Sequence, residues 1–247
     1  MIVTIIRKEL RMLFISPLAW ILLALIQLIL TWVFLVRLDA FLEIQSQLMQ
    51  IANPPGITEI IISPVFAMAA IILLMVTPLL SMRLLAEERR NHTLTLLISA
   101  PVSMTDIVIG KFLGLMVFFL VVITLIVALS ISLRLGGALD FGLLLSNTLG
   151  LLLLTACFSA LGLYISSLTA QPVIAAIGAL GVLLGLWMIN LAANETGGWI
   201  QHFSLLQHFE QFNQGLIDTL SIAYFILFIV TFLVLTIRRL DGERLHG

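Results

Sequence analysis

The chain has 247 residues, of which 61% are apolar and only 10% are charged, and its formal net charge is −1. A soluble domain carries about 25% charged residues, so this composition excludes an ordinary soluble protein and indicates an integral membrane protein. A single cysteine, Cys157, excludes a disulfide within the chain and a cysteine-based metal site.

The N-terminal segment, residues 2–15, mixes apolar residues with four charged ones. These are Arg7, Lys8, Glu9 and Arg11. The pattern predicts an amphipathic helix in the membrane interface, with its cations toward lipid phosphates. Ser16-Pro17 ends this helix and starts the next, because proline is tolerated in a first helical turn.

Six segments are apolar over the roughly 20 residues that a helix needs to cross a bilayer. They are 18–36, 60–82, 107–133, 141–165, 172–191 and 219–237. They predict an all-α polytopic membrane protein in which residues 1–247 form a single transmembrane domain. Pro64 and Pro78 lie in the second segment and predict kinks or freed carbonyls there.

Charge asymmetry predicts the orientation. Six crossings return the chain to its starting side, and ten of the twelve lysines and arginines then fall on the face shared by both termini. Only Arg37 and Arg134 fall on the other face. Because loops rich in Lys and Arg are retained in the cytoplasm, both termini are predicted to be cytoplasmic.

The stretch 83–111 between the second and third spans is the densest charged stretch of the chain. Its middle, Thr93 to Ile98, predicts a short helix with Leu94 and Leu97 on one face, and Pro101 ends it. Such a helix at the membrane surface suits docking to a soluble partner. An ordinary solvated loop has the same composition, so both interpretations stay open.

The third span is predicted to begin with a capped helix. Ser103 has the spacing of an N-cap that accepts hydrogen bonds from early amides, and Asp106 follows three residues later at the positive helix end. The loop before it is therefore expected to be compact.

The outer segment 192–218 begins with a loop at residues 194–198. Apolar residues then recur at helical spacing among polar ones, which predicts one or two short amphipathic helices in the outer interface, with a re-entrant arrangement as an option. The apolar residues are Trp199, Phe203, Leu206, Phe209, Phe212 and Leu216, and Glu210 is one of the polar residues among them. His202 and His208 with Glu210 match no common zinc spacing, so we predict the polar face of a helix and no metal.

Small residues recur at four-residue spacing in two spans. Gly178, Gly181 and Gly185 lie in the fifth, and Gly110 and Gly114 begin the third. This spacing allows close helix approach in lipid. Tight packing within one bundle and a homodimer interface both explain it.

The sequence offers little chemistry. No acid or base lies deep in a span, Lys111 being near a cytoplasmic end, which argues against a secondary transporter or an ion pump. No nucleophile–base pairing and no P-loop occurs, so we expect no enzymatic activity and no cofactor in this chain. ATP-driven work would need a partner that binds ATP and Mg²⁺.

Residues 87–111 contain a run of short motifs. The acidic pair Glu87-Glu88 is followed by Arg-Arg-Asn-His-Thr-Leu-Thr-Leu-Leu, then by Pro-Val-Ser103, and Gly110-Lys111 begins the third span. This run resembles ABC-2-type permeases of ABC transporters, whose pattern is an acidic pair, basic residues, Gly-Thr-Leu-Glu-Leu-Leu, Pro-Val-Ser and Gly-Lys. His92 stands here for the usual Gly and Thr95 for the usual Glu. Arg7-Lys8-Glu9-Leu10 also looks like this family. Residues 208–218 are similar to the subgroup around the gliding-motility permease.

The resemblance implies a dimer of six-span subunits bound to two ATPase subunits. It places the assembly in the bacterial cytoplasmic membrane and implies no nucleic-acid partner. Residues 93–98 would be the coupling helix and the N-terminal helix the elbow helix. The substrate path would run along the dimer interface, lined partly by the first, second and fifth spans. The residues expected to couple to the ATPase are Glu88, Arg89, Thr93, Leu94, Leu97 and Pro101.

Two functions follow as hypotheses. The first is the permease subunit of an ATP-driven transporter, an exporter of a hydrophobic or lipid-linked molecule. The alternative is a non-transporting membrane anchor that relays ATPase motion to an auxiliary partner outside, for which the segment 192–218 is the main support.

Overall fold

The computed structural model describes residues 2–48, 56–91, 103–135, 139–196 and 204–246, and these residues form helices with no strand among them. The all-α prediction is thereby confirmed. The helices are α1 (Ile2–Ile15), α2 (Pro17–Leu48), α3 (Thr58–Arg90), α4 (Met104–Ile131), α5 (Phe141–Leu168), α6 (Pro172–Thr196), α7 (Leu205–Asn213) and α8 (Thr219–His246).

Five helices in the described part of the chain are long and apolar enough to cross a membrane. They lie at Pro17–Gln45, Thr58–Arg90, Met104–Arg134, Phe141–Leu168 and Thr219–Arg244. The predicted span 172–191 falls in α6, whose apolar part, Pro172–Met188, is shorter. Five of the six predicted spans therefore correspond to a helix long enough to cross the membrane. The span predicted at 172–191 stays a prediction.

The helices continue well beyond several predicted spans. The first predicted span ends at residue 36, whereas α2 runs on to Leu48, and α8 runs to His246. No glycine or proline interrupts the chain between Pro17 and Pro54, so nothing in the backbone ends the helix at the charged residues after the span. Hydropathy therefore marks the expected membrane thickness, whereas backbone chemistry sets the helix length.

The long helix α3 is regular only in its middle. An α-helical part, Ser63–Met82, lies between two π-helical turns at Thr58–Ile62 and Arg83–Glu87. One turn adjoins Pro64 and the other follows Pro78 by five residues. The backbone irregularity expected from the two prolines thus takes the form of π-helical turns, which are frequent at functional sites.

The helices α3 and α5 form the centre of the bundle. In their most apolar stretches, 61% and 67% of the residues are buried, compared with 28% in α2 and 17% in α8. Glycine makes the close approach possible, because a Cβ atom at Gly162 of α5 would lie 2.8 Å from Cβ of Ser81 on α3. The outer faces of α2 and α8 carry large exposed apolar side chains such as Trp32 and Leu227, as a lipid-facing surface requires.

Polar contacts identify the two ends of the bundle. At one end, which we call the Arg89 end, α3 finishes beside the end of α5, the end of α8 and helix α1. At the other, the α7 end, Ser63 of α3 and Ser146 of α5 donate hydrogen bonds to carbonyls of α7. The helix α6 starts four residues after α5 finishes at the Arg89 end, and the chain then reaches the α7 end.

Candidate functional site

Helix α1 lies directly against α4. A Cβ atom at Gly110 would be 2.8 Å from Cγ2 of Ile5, and one at Gly114 would be 2.9 Å from Cβ of Glu9. Any side chain at either glycine would therefore push the two helices apart. The small-residue spacing at the start of α4 serves packing within the subunit.

A buried ionic cluster joins α1, α3 and α4 at this contact. Nζ of Lys111 lies 2.8 Å from Oε1 of Glu9 and 2.8 Å from Oε1 of Glu88. The side chains of Lys111 and Glu9 are only 1% and 4% exposed. A single ammonium group so deeply buried would be strongly destabilising, and two carboxylates at hydrogen-bonding distance offset that cost.

Lys8 completes the cluster from the exposed side of α1. Its Nζ donates to Oε1 of Glu88 at 3.0 Å. Burial alone would lower the pKa of Lys8, but the hydrogen bond that Lys8 donates to Glu88 and the charges of Glu88 and Glu9 outweigh this effect and raise the pKa. Lys8 is therefore cationic at neutral pH, and the four charges of Lys8, Glu9, Glu88 and Lys111 cancel.

The next residue, Arg89, points to a different set of helices. Its Nη2 donates to both carboxylate oxygens of Glu243 on α8 at 2.9 Å and to the carbonyl oxygen of Ser167 on α5 at 2.7 Å. Arg239 also lies 3.5 Å from Glu243. Arg89 thus fastens the end of α3 to the ends of α5 and α8.

The hydroxyl of Ser166 stabilises the π-helical turn just before these two residues. Its Oγ accepts from the backbone N–H groups of Leu85 and Ala86 at 3.3 and 3.1 Å and donates to the carbonyl oxygen of Met82 at 3.1 Å. A π-helical turn leaves backbone groups without their usual α-helical partners. A single buried side chain of α5 supplies partners to three of them.

These contacts define the candidate site: the end of α3, held by Glu88 to α1 and α4 and by Arg89 to α5 and α8. The predicted docking residues Thr93, Leu94, Leu97 and Pro101 lie outside the described residues. They belong to the segment 92–102, which follows Asn91 in the chain. This segment therefore begins next to Glu88 and Arg89, the two residues that bind the end of α3 to its neighbours, and the described residues resume at Ser103. The predicted cap is present, since Oγ of Ser103 accepts from the backbone N–H of Asp106 at 3.1 Å.

The sequence interpretation missed contacts that several charged residues make within the chain. Glu88 and Arg89 form ion pairs with other helices of the permease, and their contact with a partner stays a prediction. Lys8, Arg7 and Arg11 are all exposed, and Lys8 also contacts Glu88. The available signal was a lysine next to Gly110 in an otherwise apolar helix, since such a lysine needs a carboxylate partner.

At the α7 end, the amphipathic helix predicted near Phe209 is present and is inserted into the bundle. Phe209 and Phe212 are 2% and 0% exposed, and Glu210 is exposed. A Cβ atom at Gly150 of α5 would lie 2.5 Å from Cβ of Phe212. Trp199 and Phe203 lie outside the described residues.

Hydroxyl groups satisfy the last carbonyls of α7. Oγ of Ser146 donates to the carbonyl oxygen of Phe212 at 2.8 Å, and Oγ of Ser63 donates to that of Asn213 at 3.0 Å. The amide of Asn147, oriented to donate, reaches the same two carbonyls at 3.0 and 3.2 Å. A helix C-terminus leaves carbonyls unpaired, and these neighbours allow it to end inside the bundle.

His208 is part of a buried polar network. Its Nδ1 lies 2.9 Å from Oγ of Ser221, which donates its only proton to Oε1 of Gln211 at 2.7 Å. His208 therefore donates from Nδ1. Its ring also lies 4.6 Å from that of Tyr224. Ser221 and Tyr224 thus fix the position of this histidine, and the absence of a metal here stays a prediction.

The three glycines of α6 fall into two groups. A Cβ atom at Gly178 would lie 3.3 Å from Cγ2 of Ile165, whereas nothing in the described structure lies within 4 Å of one at Gly181 or Gly185. Ile177, near Gly181 on the helix, is 68% exposed. Gly178 therefore packs within the subunit, and the other two glycines lie on an open face.

Comparison with known families now adds to this geometry. Residues 3–242 match the model of the ABC-2 family transporter protein. The chain belongs to this family. No curated protein matches the chain.

The family makes the protein a membrane permease subunit of an ABC transporter, and it implies embedding in the membrane and an ABC ATPase partner. Subunits of this kind carry out transport and do not themselves catalyse a reaction. The resemblance in residues 87–111 is thus confirmed at the level of the family, whereas the gliding-motility subgroup stays a prediction.

We predict that Lys111→Met will lower the unfolding temperature of the purified permease. The variant leaves Glu9 charged and buried without its cation, and breaking such a pair costs about 3–5 kcal/mol. Adding Glu9→Gln should restore part of the loss. Thermal unfolding in detergent measures both.

Lys8→Met is the matched control, because its side chain is 48% exposed and exposed ion pairs contribute about 0–1 kcal/mol. Equal losses for Lys111→Met and Lys8→Met would contradict the role of the buried cluster.

Proposed function

We propose that this permease works as an exporter in the bacterial cytoplasmic membrane, driven by two copies of a separate ATPase that binds ATP and Mg²⁺. The main observation in support is that the end of α3 is bound to α4 through Glu88 and to α8 through Arg89. The segment 92–102 leaves from that point, so a force applied to residues 93–98 would act on α1 and α4 and on α5 and α8 together.

Coupling of this kind requires that the ATPase contact differ between two states of the permease. The sequence predicts that Leu94 and Leu97 share one face of residues 93–98, and this apolar face is our candidate for the contact with a groove on the ATPase. When the ATPase subunits approach each other, the segment moves with them. The ionic contacts of Glu88 and Arg89 then pass the movement to the bundle as a tilt of whole helices.

The permease is proposed to act as a dimer, with a second copy or a homologous permease. The open face of α6 at Gly181 and Gly185 supports this, because small residues let two helices approach closely in lipid. The substrate would move along this interface. A hydrophobic or lipid-linked substrate fits best, since the buried charges of the cluster around Lys111 are already neutralised within the chain.

Six crossings with both termini in the cytoplasm fit the arrangement of the ends. Lys8 of α1 and Glu243 of α8 contact the adjacent residues Glu88 and Arg89, so the two terminal helices meet at one end of the bundle. An even number of crossings agrees with this arrangement. We propose the helix α6, about 37 Å long at 1.5 Å per residue, as the sixth.

The alternative of a non-transporting anchor has less support. It relied on an amphipathic outer segment available to an auxiliary partner. In α7 the apolar residues Phe209 and Phe212 are buried against the permease itself, so this apolar face is already covered. Leu216 and Ile217, which follow α7, are exposed apolar residues and are what the described part of this segment offers to an outer partner.

Leu94→Asp or Leu97→Asp should abolish stimulation of the ATPase while leaving the permease in the membrane, because a carboxylate cannot enter an apolar groove without a large desolvation cost. ATPase activity of the reconstituted complex is the measurement. Asn91→Asp, which adds the same charge just before the segment, is the control. Normal stimulation by Leu94→Asp would refute the docking role.

Arg89→Gln should reduce ATPase stimulation about ten- to a hundredfold, as expected for the loss of charge-assisted hydrogen bonds worth about 1.5–3 kcal/mol. The reversed pair Arg89→Glu with Glu243→Arg should recover part of it. Arg239→Gln removes a weaker contact to the same carboxylate and should have little effect. If the reversed pair is no better than Arg89→Gln, the contact does not transmit movement.

A cysteine-labelling experiment tests the six crossings. In a Cys157→Ala background, Ala170→Cys, between α5 and α6, should react with an impermeant maleimide from the cytoplasmic side. Leu216→Cys, after α7, should react from the opposite side, since both positions are exposed. Labelling of both from one side would mean that α6 does not cross.

A further inference from the structure

A cavity of about 400 Å³ lies at the Arg89 end between α1, α2, α3 and α4. Its volume is within the range of small-molecule sites, about 300–1,000 Å³. Leu18 and Ala19, which line it, belong to the first turn of α2. The cavity therefore opens where the first span enters the membrane.

The cavity has two chemically distinct parts. Its apolar wall includes Leu80 and Leu84, which are 1% and 3% exposed, together with Leu18. Its polar wall carries six charged groups, of which Lys8, Glu9, Glu88 and Lys111 neutralise each other in the cluster described above. A ligand with both apolar and charged parts suits this division.

Arg83 and Glu87 are the two charged residues of the cavity that the cluster does not use. Neither side chain makes a hydrogen bond or an ion pair within the described residues. The internal stretches that the structure does not describe contain no aspartate or glutamate that could pair with Arg83. They are residues 49–55, 92–102, 136–138 and 197–203. Arg83 is also half-buried, which makes an anionic partner favourable.

We propose that this cavity binds the headgroup and upper acyl chains of a phospholipid from the adjacent leaflet. The phosphate accepts hydrogen bonds from the Arg83 guanidinium, a geometry that arginine favours. The headgroup ammonium donates to the Glu87 carboxylate, and the acyl chains lie along Leu18, Leu80 and Leu84. Binding at this site does not depend on the ATPase.

The charge pair also predicts the headgroup. One cation and one anion remain in the cavity, so a zwitterionic headgroup matches it better than an anionic one. The primary ammonium of phosphatidylethanolamine can donate hydrogen bonds to Glu87, whereas the quaternary ammonium of phosphatidylcholine has no N–H group. We therefore expect the site to bind phosphatidylethanolamine more tightly than phosphatidylcholine or phosphatidylglycerol.

Native mass spectrometry of the full-length permease, delipidated in mild detergent and titrated with each of these three lipids, tests the site. The wild type should retain one phosphatidylethanolamine most tightly. Arg83→Gln should weaken it about tenfold, since a charge-assisted phosphate contact is lost. Glu87→Gln should abolish the preference over phosphatidylcholine. Arg90→Gln, an exposed neighbour that does not line the cavity, should change neither.

Three results would overturn the proposal. The first is equal retention by Arg83→Gln and wild type, and the second is an equal loss for Arg83→Gln and Arg90→Gln, which would show attraction to surface charge alone. The third is equally tight binding of soluble glycerophosphoethanolamine, which would assign the site to a free phosphoester. If Arg83→Gln does not fold, the exposed Glu87→Gln decides: an unchanged preference for phosphatidylethanolamine also overturns the proposal.

Discussion

The burial of Lys111 between Glu9 and Glu88 is the constraint on which the Arg89 end of the bundle depends. An ammonium group 1% exposed must keep its carboxylates close, so α1 and the end of α3 cannot move away from α4 independently. Gly110 and Gly114 make this possible, because they let α1 approach near enough for Glu9 to reach the lysine. The N-terminal helix is therefore part of the bundle, although it was predicted only to lie in the interface.

Glu88 and Arg89 are adjacent, and successive residues of a helix point about 100° apart. One turn of α3 can thus contact two groups of helices, with Glu88 facing α1 and α4 and Arg89 facing α5 and α8. The π-helical turn directly before them is bonded to Ser166 of α5. For the proposed coupling, this means that a pull on the segment after Asn91 acts on both groups at once.

Hydropathy predicted where most spans begin, because the cost of placing backbone and charge in lipid is a property of local sequence. It did not predict that α2 extends to Leu48, since the end of a helix depends on glycine, proline and capping. Nor could it pair Lys111 with Glu9, which is 102 residues away. The family pattern at residues 87–111 includes Glu88 and Arg89, but their contacts within the chain depend on tertiary packing that a local pattern does not contain.

The two ends of the bundle use different interactions, and this difference bears on how movement can pass between them. The Arg89 end is held by charges, which stay strong when partly buried and act over several ångströms. The α7 end is held by hydroxyl and amide groups, such as Ser63 and Ser146, on helix carbonyls. Between them, α3 and α5 pack through glycine and small side chains, as at Gly162 and Ser81. Packed helices can slide and tilt as whole units, so in the proposed coupling a displacement at the charged end would reach the α7 end as a tilt of α3 and α5.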